Sequence, residues 1–434
     1  MRTIGCLLSV VLGGAGVLLG QAPAPTHLTL QEAEALALKN HPQVLAAQDV
    51  ISAANEGIRE ARAAYYPVFE GDITASQGNP QGRIGAGALT DSRLFDRFGQ
   101  GITLNQLVTD SGRTPNLVAS SRLKASATQQ DLQATRYGVL ASVNSAYFNT
   151  LRAQALIKVA QKTVETRQLL VNQVTALAQN NLRSQLDVSF ATVNLAEAQL
   201  LLIRSQDELQ ASYAALTRAL GSDQGTTYDL VELPLPPSPP ANPEDLVAQS
   251  VQNRPELASL RLNLQAADRF EQAEKDLKRP TVSLIGVGGY MPYINQETLP
   301  RTIPNEYEGV GVNVEIPIFN GHLFAARQQE AHYRALESDQ RLRDRQQQIA
   351  RDVRDAWASA MTAYQGLDVS AQFLREATLA DNLAQGRYDL QLASIVELTQ
   401  AQLNLTDAEI ENLNAKYDYQ TQYALLQYAI GLLR

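Results

Sequence analysis

Two periodicities divide this chain. Val310, Val312, Val314, Ile316 and Ile318 alternate strictly with Gly309, Gly311, Asn313, Glu315 and Pro317, the period-two pattern of a strand with one apolar face and one small or polar face. A looser version sets Phe98, Ile102, Leu104 and Val108 against Gly99, Gly101, Thr103 and Asn105. With two further runs, strands are predicted at about 68–78, 98–109, 281–291 and 308–319. Elsewhere the period is helical. From about Pro115 to Gln179 no proline intervenes and Gly138 is the only glycine, while Leu132, Val139, Val143, Tyr147 and Leu151 form a narrow apolar stripe. Long helices are predicted over about 115–179 and 184–220, the latter stopped by Gly221, and over about 323–388 and 393–430. About 65 residues at ~1.5 Å each span roughly 100 Å, which suits a coiled coil or helical barrel rather than a globular core. Shorter helices precede each half. Thr29 and Glu32 make a capping box for the first, and Asn40-His41-Pro42 breaks it from a second that ends before Pro67.

The pattern repeats. Residues 104–221 return without a gap at 314–431, an offset of 210. Leu132, Val143 and Tyr147 face Leu342, Val353 and Trp357; Leu182, Ser184 and Asn194 face Leu392, Ser394 and Asn404; Gly221 faces Gly431. Asn253-Arg254-Pro255 answers Asn40-His41-Pro42 at a slightly different offset. A match of this length implies two copies of one structural unit, here 23–232 and 243–434. The Pro-rich segment 233–242 reads as a stiff, extended connector; the alternative is a ligand for a small recognition domain.

Composition narrows the class. Arg2 followed by the uncharged run Ile4–Leu19 makes 1–22 a secretory signal peptide. Cys6, the single cysteine, lies within it, so disulfides, thiol chemistry and Cys-ligated metals are not expected after processing. No other stretch approaches 18 uninterrupted apolar residues. The net charge of −9 argues against nucleic-acid binding. His27, His41, His322 and His332 are scattered, and no phosphate loop, nucleophile elbow or carboxylate pair stands out. No catalytic residue, metal or cofactor is expected. Arg351/Asp352 and Arg354/Asp355 fit solvated helix faces.

An exported chain without a helical anchor can still enter a membrane as strands. About ten residues, apolar outward and small or polar inward, fit a tilted membrane strand lining a wet interior, with Val310, Val312, Val314, Ile316 and Ile318 facing lipid. A soluble sandwich shows the same alternation. Four strands cannot close a barrel, which needs about eight, and open edges are not tolerated in lipid. Copies of the chain must therefore share one, and three would give twelve strands. Strand edges of this kind require an oligomer without fixing its number.

Together these features resemble the TolC-type outer-membrane efflux factor family. The likeness is carried by Leu30 through Pro42, Asn105-Gln-Leu-Val-Thr-Asp-Ser-Gly112, Glu315-Ile-Pro-Ile-Phe-Asn-Gly321 and Tyr388 through Gly431, in order and duplicated. The resemblance implies a mainly α fold with a membrane β-barrel. A homotrimer would build a twelve-stranded barrel in outer-membrane lipid, continuous with an α-barrel tunnel of long antiparallel helices reaching into the periplasm. It implies a passive exit duct for tripartite efflux or type I secretion, docked to a periplasmic adaptor and an inner-membrane pump or ATP-driven exporter. Adaptor docking would fall on the helix–helix turns at Asn181, Leu182 and Arg183 and at Leu390, Gln391 and Leu392. The family's turn glycine is replaced by Asn181, which tolerates positive φ, and by Gln391, a clear departure. The gate would fall on Asp187 and Tyr388, with acidic rings at Glu397 and at Gln400, where the charge is missing. The arginine of the family's lock falls on Ala393. From a different class, the alternative is a non-conducting coiled-coil scaffold linking envelope layers.

Overall fold

The computed structural model describes residues 26–76, 97–222, 227–292 and 305–433. The expected signal peptide lies outside the described residues. Each half runs through two short helices, two strands and two long helices. The first half comprises α1 (Leu30–Asn40), α2 (Pro42–Ala63), β2 (Val68–Ser76), β3 (Arg97–Thr109), α3 (Arg113–Gln179) and α4 (Gln185–Ala219). In the second are α5 (Pro243–Asn253), α6 (Pro255–Asp276), β5 (Thr281–Tyr290), β6 (Glu306–Glu315), α7 (Leu323–Asp389) and α8 (Ile395–Ala429). A short parallel pair, β1 (Thr26–Leu28) and β4 (Tyr228–Leu230), joins the two ends of the first half. The duplicated long helices match in length, 67 residues for α3 and α7 and 35 for α4 and α8.

Local chemistry sets these limits. Glu32 and Thr29 satisfy each other's backbone N–H groups at the start of α1. At the Asn-x-Pro break, His41 ends α1 and caps α2 through Nδ1, which accepts from Gln43 N–H at 3.3 Å. Gly221 and Gly431, with φ of +67° and +75°, close α4 and α8. Each lies against the break of its own half: a Cβ on Gly221 would stand 2.6 Å from His41 Cα, and one on Gly431 would stand 3.1 Å from the Asn253 carbonyl carbon. Two motifs separated along the chain thus form one joint, made twice.

The Pro-rich connector is held against the helices. Proline lacks an N–H, so carbonyls along such a segment need donors from elsewhere. Gln420 Nε2 donates to Leu233 O at 2.9 Å, the Tyr419 hydroxyl to Pro237 O, and Trp357 Nε1 to Pro240 O at 2.7 Å. Tyr147, the duplication partner of Trp357, sets its hydroxyl 2.9 Å from Leu28 O and 2.8 Å from Val231 O. It also accepts from Val231 N–H at 3.1 Å. Arg354 departs from the expected pairing with Asp355. It reaches Glu244 at the start of α5 through two hydrogen bonds of 2.8 and 2.9 Å.

The long helices form one layer in the order α4–α3–α8–α7, continued toward the sheet by α2 and α6 packed on α3, and by α6 on α7. Toward the helix–helix turns, both edges of this layer carry exposed apolar residues. Leu186, Phe190, Val193, Leu200 and Ile203 are exposed along α4, and Val369, Phe373, Leu379 and Leu383 along α7. Apolar on two sides, α4 is long and apolar enough to cross a bilayer by length and composition, the one such helix among the described residues. A search for uninterrupted apolar runs misses it, because Asn194, Glu197 and Gln199 interrupt the run.

The sheet has the antiparallel order β2–β3–β5–β6 and, among the described residues, both its edges are unpaired. Its register places Phe69, Leu104, Gly286 and Val310 in one row, flanked by Gly71, Ile102, Gly288 and Glu308. The face carrying Phe69, Ile73, Ile102, Leu104, Leu284, Val310, Val312 and Val314 is therefore largely apolar. The opposite face holds Glu70, Asp72, Thr103, Asn105, Ser283, Asn313 and Glu315, with Ile285 and Val287 among them. Two positions leave the expected alternation. Val108 is the extra residue of a β-bulge between Leu107 and Thr109. Strand β6 ends at Glu315, so Ile316 and Ile318 lie in the irregular segment after it, where Pro317 cannot donate to a ladder. All five apolar residues of the run remain exposed.

Candidate functional site

The end of the helical layer farthest from the sheet is made by two turns that share a geometry. Asn181 and Gln391 both take left-handed backbone, φ 58° and 62°. Leu182 N–H bonds back to Leu177 O at 2.9 Å, and Leu392 N–H to Arg387 O at 2.7 Å, the six-to-one closure of a Schellman turn. Gln391 thus keeps the turn despite lacking the glycine. Ser184 and Ser394 start the returning helices by accepting from Asp187 N–H at 3.1 Å and Glu397 N–H at 3.2 Å. Leu182, Leu390 and Leu392 stand out of the turns, 63, 72 and 68 % exposed. No fold-stabilising role in one chain accounts for three such leucines at one end.

Beneath the turns, the two helical hairpins share a core of Leu170, Val174, Ala191, Ala384, Tyr388, Ile395, Leu398 and Ala401. Ala393 is buried in it. Tyr388 is also buried here, and burial pushes its phenol above the ordinary value, with Arg183 opposing and Asp187 and Asp389 adding to the rise. The Arg183 guanidinium sits 4.4 Å from the Tyr388 ring centroid, and its Nη2 lies 3.4 Å from Tyr388 O. Arg183 of one hairpin therefore holds Tyr388 of the other, by a cation–π contact and a long hydrogen bond. Asp187 instead completes its own helix cap, its carboxylate accepting from Ser184 N–H at 3.2 Å. Glu397 pairs with Arg387 at 3.4 Å, both partly exposed. Gln400 bonds along its own helix to Asn404 at 3.0 Å.

Higher on the layer lies a buried arginine that is not among the residues expected from sequence. Arg167 of α3 is 3 % exposed and donates to Gln402 of α8. Burial lowers its pKa, while Asp381 of α7 and Glu197 of α4 pull it up. All four long helices thus place a polar group at this level. One arginine among several on a long polar helix gives no sign of this in sequence, and the duplication hides it further, because its counterpart is Ala377. Among the described residues, no group of His, Cys, Asp and Glu could hold a metal ion.

Comparisons with known proteins agree with this architecture. The sequence model described as outer membrane efflux protein matches residues 35–222 and again 246–432, the two halves of the duplication. The chain is 25 % identical to outer membrane protein TolC of Vibrio cholerae over 418 residues, covering 92 % of this chain and 89 % of that one. It is 28 % identical to the alkaline protease secretion protein AprF of Pseudomonas aeruginosa over 421 residues, covering 92 % and 83 %. Among solved structures, the outer membrane protein VceC of Vibrio cholerae superposes with a TM-score of 0.78 at 18 % identity, covering 93 % of this chain and 96 % of that chain. A structure of CusC gives 0.77 at 20 %, covering 93 % and 92 %. With both repeats matched in order and over nearly the whole described length, the chain belongs to the outer membrane efflux protein family.

Proposed function

We propose that this chain is the outer-membrane exit duct of an efflux or secretion assembly, and that it works as a homotrimer. The observation that carries the reading is the four-stranded sheet with two unpaired edges and one apolar face. Unpaired N–H and C=O groups are costly in hydrocarbon. Joining β6 of one copy to β2 of the next satisfies both edges, and three copies supply twelve strands, within the range of membrane barrels. The same ring brings the apolar edge of α4 against that of α7 in the neighbour, burying two stripes that face solvent in one chain. Such head-to-tail contacts close when the rotation is right.

In that ring the apolar sheet face, with Val310, Val312 and Val314, meets lipid and the polar face lines water. The helices continue the bore into the periplasm. At their tip, Asp187, Tyr388, Glu397 and Gln400 form the gate, with Arg183 taking the position across Tyr388 that Ala393 leaves empty. Arg387 beside Glu397 partly neutralises the acidic ring. The exposed Leu182, Leu390 and Leu392, with Asn181, Arg183 and Gln391, are the docking surface for a periplasmic adaptor, through which an inner-membrane pump or ATP-driven exporter supplies the cargo. The duct moves solutes passively and catalyses no reaction.

Planar-bilayer recording of the purified oligomer tests this. The reading expects discrete ion-conducting events, with Glu397→Gln shifting selectivity toward anions because Arg387 is left unpaired. A protein that inserts without conducting is instead a scaffold between envelope layers.

A further inference from the structure

The polar face of the sheet sets large side chains over glycines on neighbouring strands. A Cβ on Gly311 would lie 3.5 Å from Ile285 Cγ1, one on Gly309 3.5 Å from Val287 Cγ2, and one on Gly99 3.5 Å from Met291 Cγ. The tightest case is Tyr307. It belongs to the row Asp72, Gly101, Gly289, Tyr307 that crosses all four strands, near the strand ends remote from the helices. Its ring lies across both glycines. A Cβ on Gly101 would stand 2.3 Å from Tyr307 Oη, 3.1 Å from Gly288 O and 3.3 Å from Tyr307 Cζ, and one on Gly289 would stand 2.5 Å from both ring atoms and from Gln100 O, which makes Gly101 the position whose severe contact is with the ring alone. Glycine in a strand interior forfeits stability, and two of them side by side beneath one aromatic ring form a trough fitted to it.

We propose that Tyr307 is the aperture residue of the duct's outer mouth, kept flat against the wall by the Gly101–Gly289 trough so that bulky solutes can pass. The inference rests on reading the polar face as the bore. Three rings, one per copy, lie at one level by the symmetry of the ring. Filling the trough lifts each phenol away from the wall and toward the axis, which narrows the mouth without altering its charge. The severe contact at Gly101 is with the hydroxyl; removing that oxygen leaves only Gly288 O and Cζ, at 3.1 and 3.3 Å, which need to give by about a few tenths of an ångström, so the ring lies down again.

The test uses thiol labelling from outside intact cells. The sequence's single cysteine is Cys6 in the expected signal peptide, so Ser283→Cys, on the polar face nearer the helices, introduces a reporter past the mouth. In this parent, a small charged methanethiosulfonate and a bulky impermeant maleimide are both expected to label; a maleimide already excluded while the small reagent enters overturns the proposal. Adding Gly101→Ala is expected to slow the maleimide more than the small reagent, and adding Tyr307→Phe to that pair is expected to restore the parent rate. Equal maleimide rates with and without Gly101→Ala overturn the proposal, as does a slowing that Tyr307→Phe leaves in place. Should Gly101→Ala alone fail to give a heat-modifiable oligomer, Tyr307→Phe must recover assembly; failure of the double variant also overturns it. If the small reagent cannot reach Ser283→Cys in the parent, the reading of this face as a bore fails instead.

Discussion

Gln391 holds a left-handed backbone that an L side chain adopts at a cost of roughly 1–2 kcal/mol, and it does so where the duplicated turn has the more tolerant Asn181. Part of that cost is recoverable. Gln391→Gly should stabilise the α7–α8 turn by about 1 kcal/mol once the entropy of glycine is discounted, seen as slower amide exchange at Leu392. Faster exchange contradicts the assignment of strain. Asp381 tests the polar level around Arg167. Burial pushes its carboxyl above the ordinary value, opposed by Arg167 and helped by Glu409. The folded chain therefore binds more protons than the unfolded one between the ordinary aspartate value and the raised one, and stability falls as pH rises through that window. Asp381→Asn should raise the unfolding temperature at neutral pH, with the difference from the parent closing as pH drops below the ordinary aspartate range. A pH-independent difference rules out this origin. The turn residues were legible from their place in the repeat. The grip of Arg183 on Tyr388 was not, because the two lie 205 positions apart and nothing in either segment encodes their meeting.

At the level of elements, the joint between each helix end and each Asn-x-Pro break governs how the halves are built. Gly221 has no room for a Cβ beside His41, whereas Gly431 meets Asn253 at 3.1 Å. Both also carry positive φ. Gly221→Ala should therefore cost about 2–3 kcal/mol of stability and Gly431→Ala measurably less, by thermal unfolding; the reverse order contradicts the joint as drawn. Strand β6 offers a second check. Single cysteines at Val310, Gly311, Val312, Asn313 and Val314 in proteoliposomes should react with an impermeant thiol reagent at 311 and 313 and resist it at the three valines. Uniform labelling contradicts a lipid-facing side. Periodicity revealed these elements because each has one apolar and one polar face. It placed Val108 and the end of β6 less well, since a bulge and Pro317 interrupt the ladder without changing the apolar pattern. The apolar outer edge of α4 escaped the sequence reading for a related reason: polar residues break its apolar run into short pieces.

For the molecule as a whole, the duplication was the most legible feature, since a fixed 210-residue offset needs no structural knowledge to detect. What the described residues of a single chain leave unsatisfied points beyond it: unpaired edges on β2 and β6, and apolar stripes along α4 and α7. These are complementary ends of one subunit, so their mutual use gives a ring and not a face-to-face dimer. Native mass spectrometry of the protein extracted from outer membranes in mild detergent tests this most directly. A dominant species of three chains is predicted. A dominant single chain, or an open ladder of sizes without closure, contradicts it.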